Sequence, residues 1–174
     1  MKPEELLCLL SRAAKLKTTM RHCYTADGRK ESVADHCFRI ALMAMLLSGE
    51  EEFRNMDMDK VIRMCLIHDL GEAFTGDIPT FEKSSTDTEK ETSLFLDWVN
   101  SFPSPQKEEW LSLLEEMESL TTPEAKTYKA LDKLEAVISH NESDLSTWLP
   151  LEYDLQLTYG KENVEFSEYL KALS

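Results

Sequence analysis

Val61 to Thr80 reads VIRMCLIHDLGEAFTGDIPT, and the rest of the chain is best approached from it. Val61, Ile62, Met64, Cys65 and Ile67 recur at the spacing of a helix buried on one side. The apolar run then stops on His68-Asp69, and Glu72, a Gly76-Asp77 turn and Pro79 follow. A helix that buries isoleucine and then presents a histidine and three acids is carrying polar groups into the interior. Asp57 stands where it can cap this helix, which the pattern extends from Met58 through Phe74.

Helical patterns lie on both sides. One runs from Pro3 to Lys17, with proline in its first turn. The polar stretch TTMRHCYTADGRKE reads as a loop with a turn at Asp27-Gly28. Ser32 and Asp35 have capping-box spacing and open the helix SVADHCFRIALMAMLL, with Val33, Ile40 and Leu47 inward. Further helices are expected over Asp87 to Asn100 and after Pro105, where Trp110, Leu113, Leu114 and Met117 share a face. Thr122-Pro123 starts the longest, PEAKTYKALDKLEAVISHNE, with Leu131, Leu134 and Ile138 inward. A short helix after Pro150, a stop at Gly160 and a last helix through FSEYLKAL complete the chain. Five glycines and six prolines in 174 residues suit an all-α class over a turn-rich β one. The reading is a single helical domain over residues 1–174.

The net charge of -14 repels nucleic acid and anionic lipid, so neither is an expected partner. A small phosphorylated substrate remains open, because local charge or a metal overrides the global field. Cys8, Cys23, Cys37 and Cys65 form no C-x-x-C pair, and most lie in apolar patterns, which suits free thiols and a cytoplasmic location. The N-terminus MKPEELLCLL lacks the pattern of a secretory signal. No apolar run approaches the ~18 residues of a membrane span.

Three helices each carry a polar group where core is expected. His36 lies on the face of Val33 and Ile40, His68-Asp69 ends the helix described first, and Asp132 falls between Leu131 and Leu134. A lone buried acid is costly. One divalent cation bound by His36, His68, Asp69 and Asp132 resolves all these anomalies together. Two imidazoles and two carboxylates suit Mn, Co, Fe, Ni or Zn, and suit Mg less well.

The order H…HD…D, with Gly71-Glu72 and Gly76-Asp77 behind the pair, resembles the HD-domain metal-dependent phosphohydrolases. More narrowly, RHCYT, ESVADHCFRIALMA, LIHDLGEAFTGDIPTFEK, YKALDKLEAVISHNESDLSTW and LEYDLQLTYG resemble the branch containing the YfbR-type 5′-deoxynucleotidases. The resemblance implies metal ligation by His36, His68, Asp69 and Asp132. It implies catalytic roles for Glu72 and Asp77, and a phosphate contact by Arg21. Lys83 matches a lysine after the GD-x-P-T turn, and Tyr24 is an aromatic that could stack on a base. His22 stands where YfbR-type proteins place a tryptophan, and Phe81 where a proline is expected. His22 and His140-Asn141-Glu142 carry no derived role. No histidine lies between His68 and Asp132, which argues against the binuclear HD phosphodiesterases. The function implied is a 5′-nucleotidase acting on (deoxy)nucleoside 5′-monophosphates. The alternatives are an HD hydrolase of nucleotide di- or triphosphates or another phosphorylated metabolite, and a metal- or nucleotide-binding sensor without turnover. The resemblance also implies a homodimer, for which Trp110, Trp148, Leu151 and Tyr153 are apolar candidates, although the sequence alone favours the core for them.

Overall fold

A computed structural model describes residues 1–174. The chain is helical apart from one small hairpin. The helices are α1 (Pro3–Ala13), α2 (Val33–Leu47), α3 (Met58–Ile67), α4 (Glu72–Thr75), α5 (Ser85–Asn100), α6 (Gln106–Ser119), α7 (Pro123–Glu142), α8 (Glu152–Leu155), α9 (Lys161–Val164) and α10 (Glu168–Leu173). The strands β1 (Met20–Tyr24) and β2 (Lys30–Ser32) pair antiparallel. No helix is long and apolar enough to cross a membrane.

The helix starts follow from local chemistry. Ser32 Oγ accepts from the Asp35 amide at 3.2 Å, and the Asp35 carboxylate accepts from the Ser32 amide at 2.9 Å. Asp57 caps α3 by accepting from the Lys60 amide at 3.0 Å, and Thr122 caps α7 with Pro123 at its first position. A further capping box, Ser84 with Asp87, opens α5. α1 gives way to a tighter 3₁₀ turn at Ala14–Lys17.

Two expectations need correction. The stretch read as a polar loop is the β1–β2 hairpin, turning at Gly28, whose φ is +86°. Its strands are short and cover one edge of α7 rather than building a sheet core, so their alternation is weak. The helix extended to Phe74 stops at Ile67. The amides of Leu70 and Glu72 reach back only three residues, to the carbonyls of Ile67 and Asp69, so the chain tightens before α4. Gly71 lets α5 approach this turn closely, because a Cβ there would lie 2.8 Å from the Glu91 side chain of α5.

α2 and α3 pack side by side, and α7 lies against both. Their shared core holds Val33, Ile40, Ala44, Val61, Met64, Cys65, Leu131 and Leu134, all buried. Ile138 is only half-buried. α5 and α6 join through Trp98, Phe102 and Trp110, with ring centroids 4.8 and 5.1 Å apart in successive edge contacts. Leu151 and Tyr153 lie outside the core, about half exposed. All four cysteines are free; Cys8 is exposed and the other three are buried.

Along α7 the buried face changes character. Asp132, Glu135 and Ser139 follow at intervals of three and four residues, so they stack on one face of the helix. That polar stripe carries the site.

Candidate functional site

His36 sits in the first turns of α2, His68 caps the end of α3, Asp69 follows in the tightened turn, and Asp132 lies midway along α7. Their polar atoms converge. His68 Nε2 lies 3.0 Å from Asp69 Oδ2 and 3.6 Å from Asp132 Oδ1. His36 Nε2 lies 3.3 Å from Asp132 Oδ1 and 3.8 Å from Asp69 Oδ2. The two imidazole rings are 5.2 Å apart.

The outer nitrogen of each ring is already committed. His68 Nδ1 lies 2.9 Å from the Cys65 carbonyl, so it carries the proton and donates. His36 Nδ1 donates to the buried carboxylate of Glu135. Both Nε2 lone pairs therefore face the centre, as a metal-binding histidine requires. His68 Nε2 is buried without a hydrogen-bond partner, which costs about 1–3 kcal/mol unless something fills the space between the donors. Two neutral imidazoles and two carboxylates around such an orphaned nitrogen fit a divalent cation of the nitrogen- and oxygen-binding kind.

Without an ion, burial opposes charge on both imidazoles, yet Asp69 and Asp132 beside His68, and Asp132 and Glu135 beside His36, raise them, so the rings hold protons that a cation would displace. Burial opposes the charge on Asp132, and Lys133, Lys129 and the two histidines outweigh it, holding the carboxyl well below its usual range. Burial likewise opposes Asp69, and His68 and His36 outweigh it. Glu72 behaves oppositely. Burial, Asp69 and Asp77 push it up to about 10, and its Oε2 has no hydrogen-bond partner. Asp77, half-buried in the turn after Gly76, is also raised, first by burial and against the pull of Arg21.

Arg21 lies on β1, and its Nη1 donates to Glu31 at 2.6 Å and to Glu135 at 3.3 Å. Glu31 is fixed in turn by Ser139 Oγ at 2.9 Å. Glu135 thus holds both His36 and Arg21. Lys83 Nζ pairs with Glu91 at 2.9 Å, and that pairing outweighs its burial and raises it. Tyr24 stands at the turn end of β1, its ring 5.6 Å from the Lys30 ammonium, and does not line the cleft beside Arg21. That cleft, of about 120 Å³, is lined among others by Arg21, Asp77, Phe81, Gln156 and Tyr159.

Sequence reasoning missed Glu135, Glu31, Glu91 and two lysines. Lys129 and Lys133 reach Asp132 Oδ2 at 2.9 and 3.4 Å. With Arg21 and Lys83 they place four cations around the centre of an acidic chain. A signal for Glu135 was present in LDKLE. A glutamate three residues after Asp132, beside Leu131 and Leu134, falls on the buried face.

Comparison with known proteins gives the family and the fold. The family model described as HD domain matches residues 13–174. The protein "5'-deoxynucleotidase HDDC2" of Dictyostelium discoideum is 32% identical over 136 residues, covering 74% of this chain and 72% of its own. Its Homo sapiens namesake is 31% identical over 145 residues, 79% of this chain and 67% of its own. "5'-deoxynucleotidase hdd1" of Schizosaccharomyces pombe is 31% identical over 153 residues, 78% and 75%. Among solved structures, a "Predicted metal-dependent phosphohydrolase" from Magnetospirillum magnetotacticum MS-1 superposes with a TM-score of 0.78 at 28% identity, over 98% of this chain and 89% of its own. A conserved hypothetical protein from Pyrococcus furiosus gives 0.69 at 28% identity, over 95% and 99%.

Proposed function

The chain belongs to the HD-domain family, and from that premise we propose that it is a metal-dependent 5′-nucleotidase releasing orthophosphate from (deoxy)nucleoside 5′-monophosphates. The observation that carries the reading is the convergence of His36, His68, Asp69 and Asp132 beside an unpartnered buried acid, Glu72.

The ion would be held by those four residues. When bound, a divalent cation acidifies a water and offsets charge on the phosphoryl oxygens. The chain's own groups do the rest. Arg21, Lys83, Lys129 and Lys133 surround the centre and attract a phosphate dianion against the overall negative field. Glu135 and Glu31 orient Arg21, so its guanidinium meets the phosphate without reordering. Glu72 holds a proton at neutral pH and hands it to the leaving 5′-oxygen, which departs as the nucleoside hydroxyl. Asp77, in the turn beside Arg21, orients the substrate's sugar end.

The reading extends to a homodimer in the cytoplasm. Phe38, Leu42, Met45 and Leu46 stand exposed along α2, an apolar face suited to a second copy. Three buried free thiols suit a reducing compartment.

The test is phosphate release from a panel of ribo- and deoxynucleoside mono-, di- and triphosphates by metal-stripped protein re-supplied with Mn, Co, Mg, Ni or Zn. Orthophosphate from monophosphates, dependent on metal and lost in Asp69→Ala, is expected. Pyrophosphate or tripolyphosphate as product, or no turnover with metal bound, overturns the reading.

A further inference from the structure

The cleft beside Arg21 shares a wall with the metal centre. Arg21 lines it and reaches Glu135, which holds His36. Asp77 lines it too. Tyr159 accepts from Lys133 Nζ at 2.9 Å, and that ammonium lies 3.4 Å from Asp132. A phosphate met by Arg21 at the centre therefore leaves the rest of its nucleotide to lie in this cleft.

The remaining lining has a chemistry of its own, made by His22, Phe81, His140 and Glu152. Three of these are rings. His22 meets Phe81 edge-on at 5.6 Å, and His140 stacks on Trp148 at 4.3 Å. Phe81 is 38% exposed, so its ring is open to a partner. Such walls suit a planar heterocycle, which gains from stacking on an aromatic ring.

Among the rings stands one carboxylate. Glu152 comes from α8, and its side chain is only 6% exposed. Its Oε2 accepts from the Leu149 amide at 2.6 Å, which fixes the group. Its Oε1 lies 3.1 Å from His22 Nε2 without an aligned hydrogen bond, and His22 Nε2 has no hydrogen-bond partner. His140 Nε2, 3.5 Å from Oε2, is unpartnered as well. Burial lowers the His140 imidazole against the pull of Glu152, so that ring is neutral and does not offset the carboxylate. The guanidinium of Arg21 is committed to Glu31 and Glu135. A buried carboxylate oxygen in this state calls for a donor. It accepts and does not donate, so it attracts an amino group on a ring and repels a ring carbonyl. Uracil and thymine offer one N–H flanked on both sides by carbonyls, whereas cytosine, adenine and guanine each carry an exocyclic amino group.

We propose that this cleft is the nucleobase pocket, where Glu152 Oε1 accepts from an exocyclic amino group and so selects cytosine, adenine or guanine over thymine or uracil. For the kind of substrate, this assignment rests on the nucleotidase reading.

The test reads binding apart from turnover. Metal-loaded full-length protein is titrated calorimetrically with 2′-deoxycytidine and 2′-deoxyuridine, which have no phosphate to lose and differ at the amino position. The parent is expected to bind deoxycytidine roughly 10- to 100-fold more tightly. Glu152→Gln, whose amide both donates and accepts, is expected to lose most of that preference. Phe81→Ala removes an exposed ring and should weaken both nucleosides while keeping their ratio. Equal affinity of the parent for the two nucleosides, or binding of neither, overturns the proposal whatever the variants do. A folded Glu152→Gln that keeps the parent's preference overturns it too. If deoxycytidine is preferred as expected but no monophosphate yields orthophosphate, the nucleotidase reading fails and the pocket stands.

Discussion

Glu135→Gln tests whether the carboxylate behind the centre sets its strength. Glu135 is fully buried and accepts from His36 Nδ1 and from Arg21 Nη1 at 3.3 Å, with Arg39 Nε a more distant third neighbour at 3.7 Å. Glutamine keeps the volume and can still accept one proton from His36, so the fold should survive. What goes is the charge. A hydrogen bond to a charged group contributes about 1.5–3 kcal/mol against about 0.5–1.5 for a neutral one, so the bond behind His36 loses about 1–2 kcal/mol. Arg21 loses less, because Glu31 still holds it at 2.6 Å. A metal-bound histidine deprived of its supporting carboxylate typically costs roughly 10- to 100-fold in affinity or activity. The expected outcome is a fall of that size in metal affinity, measured by competition with a chelator, with thermal unfolding confirming a folded chain. Glu142→Gln is the control, since Glu142 lies on the same helix but pairs with Arg39 at the surface. Equal affinity in Glu135→Gln, Glu142→Gln and the parent would refute the idea that Glu135 sets the ligand.

Three further outcomes follow from other parts of the molecule. Glu72→Gln, which removes the proposed proton donor, is expected to lower kcat by roughly 10²- to 10⁴-fold while metal content holds; a rate within a few-fold of the parent refutes the role. Asp35 is held down to about 2, chiefly by its hydrogen bond to Arg29, below an unfolded value near 3.9. A depressed carboxyl stabilises the fold above the unfolded value, and that contribution disappears as pH falls from about 4 towards 2. Since the pair is 54% and 38% exposed, the loss should stay under about 1 kcal/mol. Asp35→Asn should flatten this part of a urea-midpoint curve, and parallel acid limbs would exclude the effect. Gly160→Ala places a Cβ 2.6 Å from Lys133 Cβ at a φ of +73°, so it should cost roughly 2–4 kcal/mol by chemical denaturation; an unchanged midpoint would show that the segment yields freely.

The helices were legible because their signals are local. Ser32 with Asp35, Asp57, and Thr122 with Pro123 each mark a start through atoms three residues apart. The hairpin was not legible, because Met20–Tyr24 and Lys30–Ser32 are too short for alternation to stand out from a polar loop. The end of α3 at Ile67 was hidden for another reason. The chain tightens there through three-residue hydrogen bonds while Gly71 lies against Glu91 of α5, a neighbour 20 residues away that no local pattern reveals. The four candidate ligands could be found because each is a polar residue breaking an apolar pattern. Glu31 and Glu135 escaped, since an acid in KES or LDKLE looks like a solvated one until tertiary packing buries it. Lys129 and Lys133 read as helix surface, and only the position of Asp132 makes them part of the site.

The placement of the polar stripe on α7 also bears on the order in which the molecule is made. His36, His68 and Asp69 lie in the first half of the chain, on helices that pack as near neighbours in sequence. Asp132 and the carboxylate that sets the tautomer of His36 both come from α7, about a hundred residues after His36. Contacts of such long range are closed late in folding. During synthesis the α2–α3 pair can collapse first and offers three of the four donors, one of them unoriented. The complete centre exists only once α7 has docked, so a nascent chain reaches its full hold on an ion close to the completion of its fold.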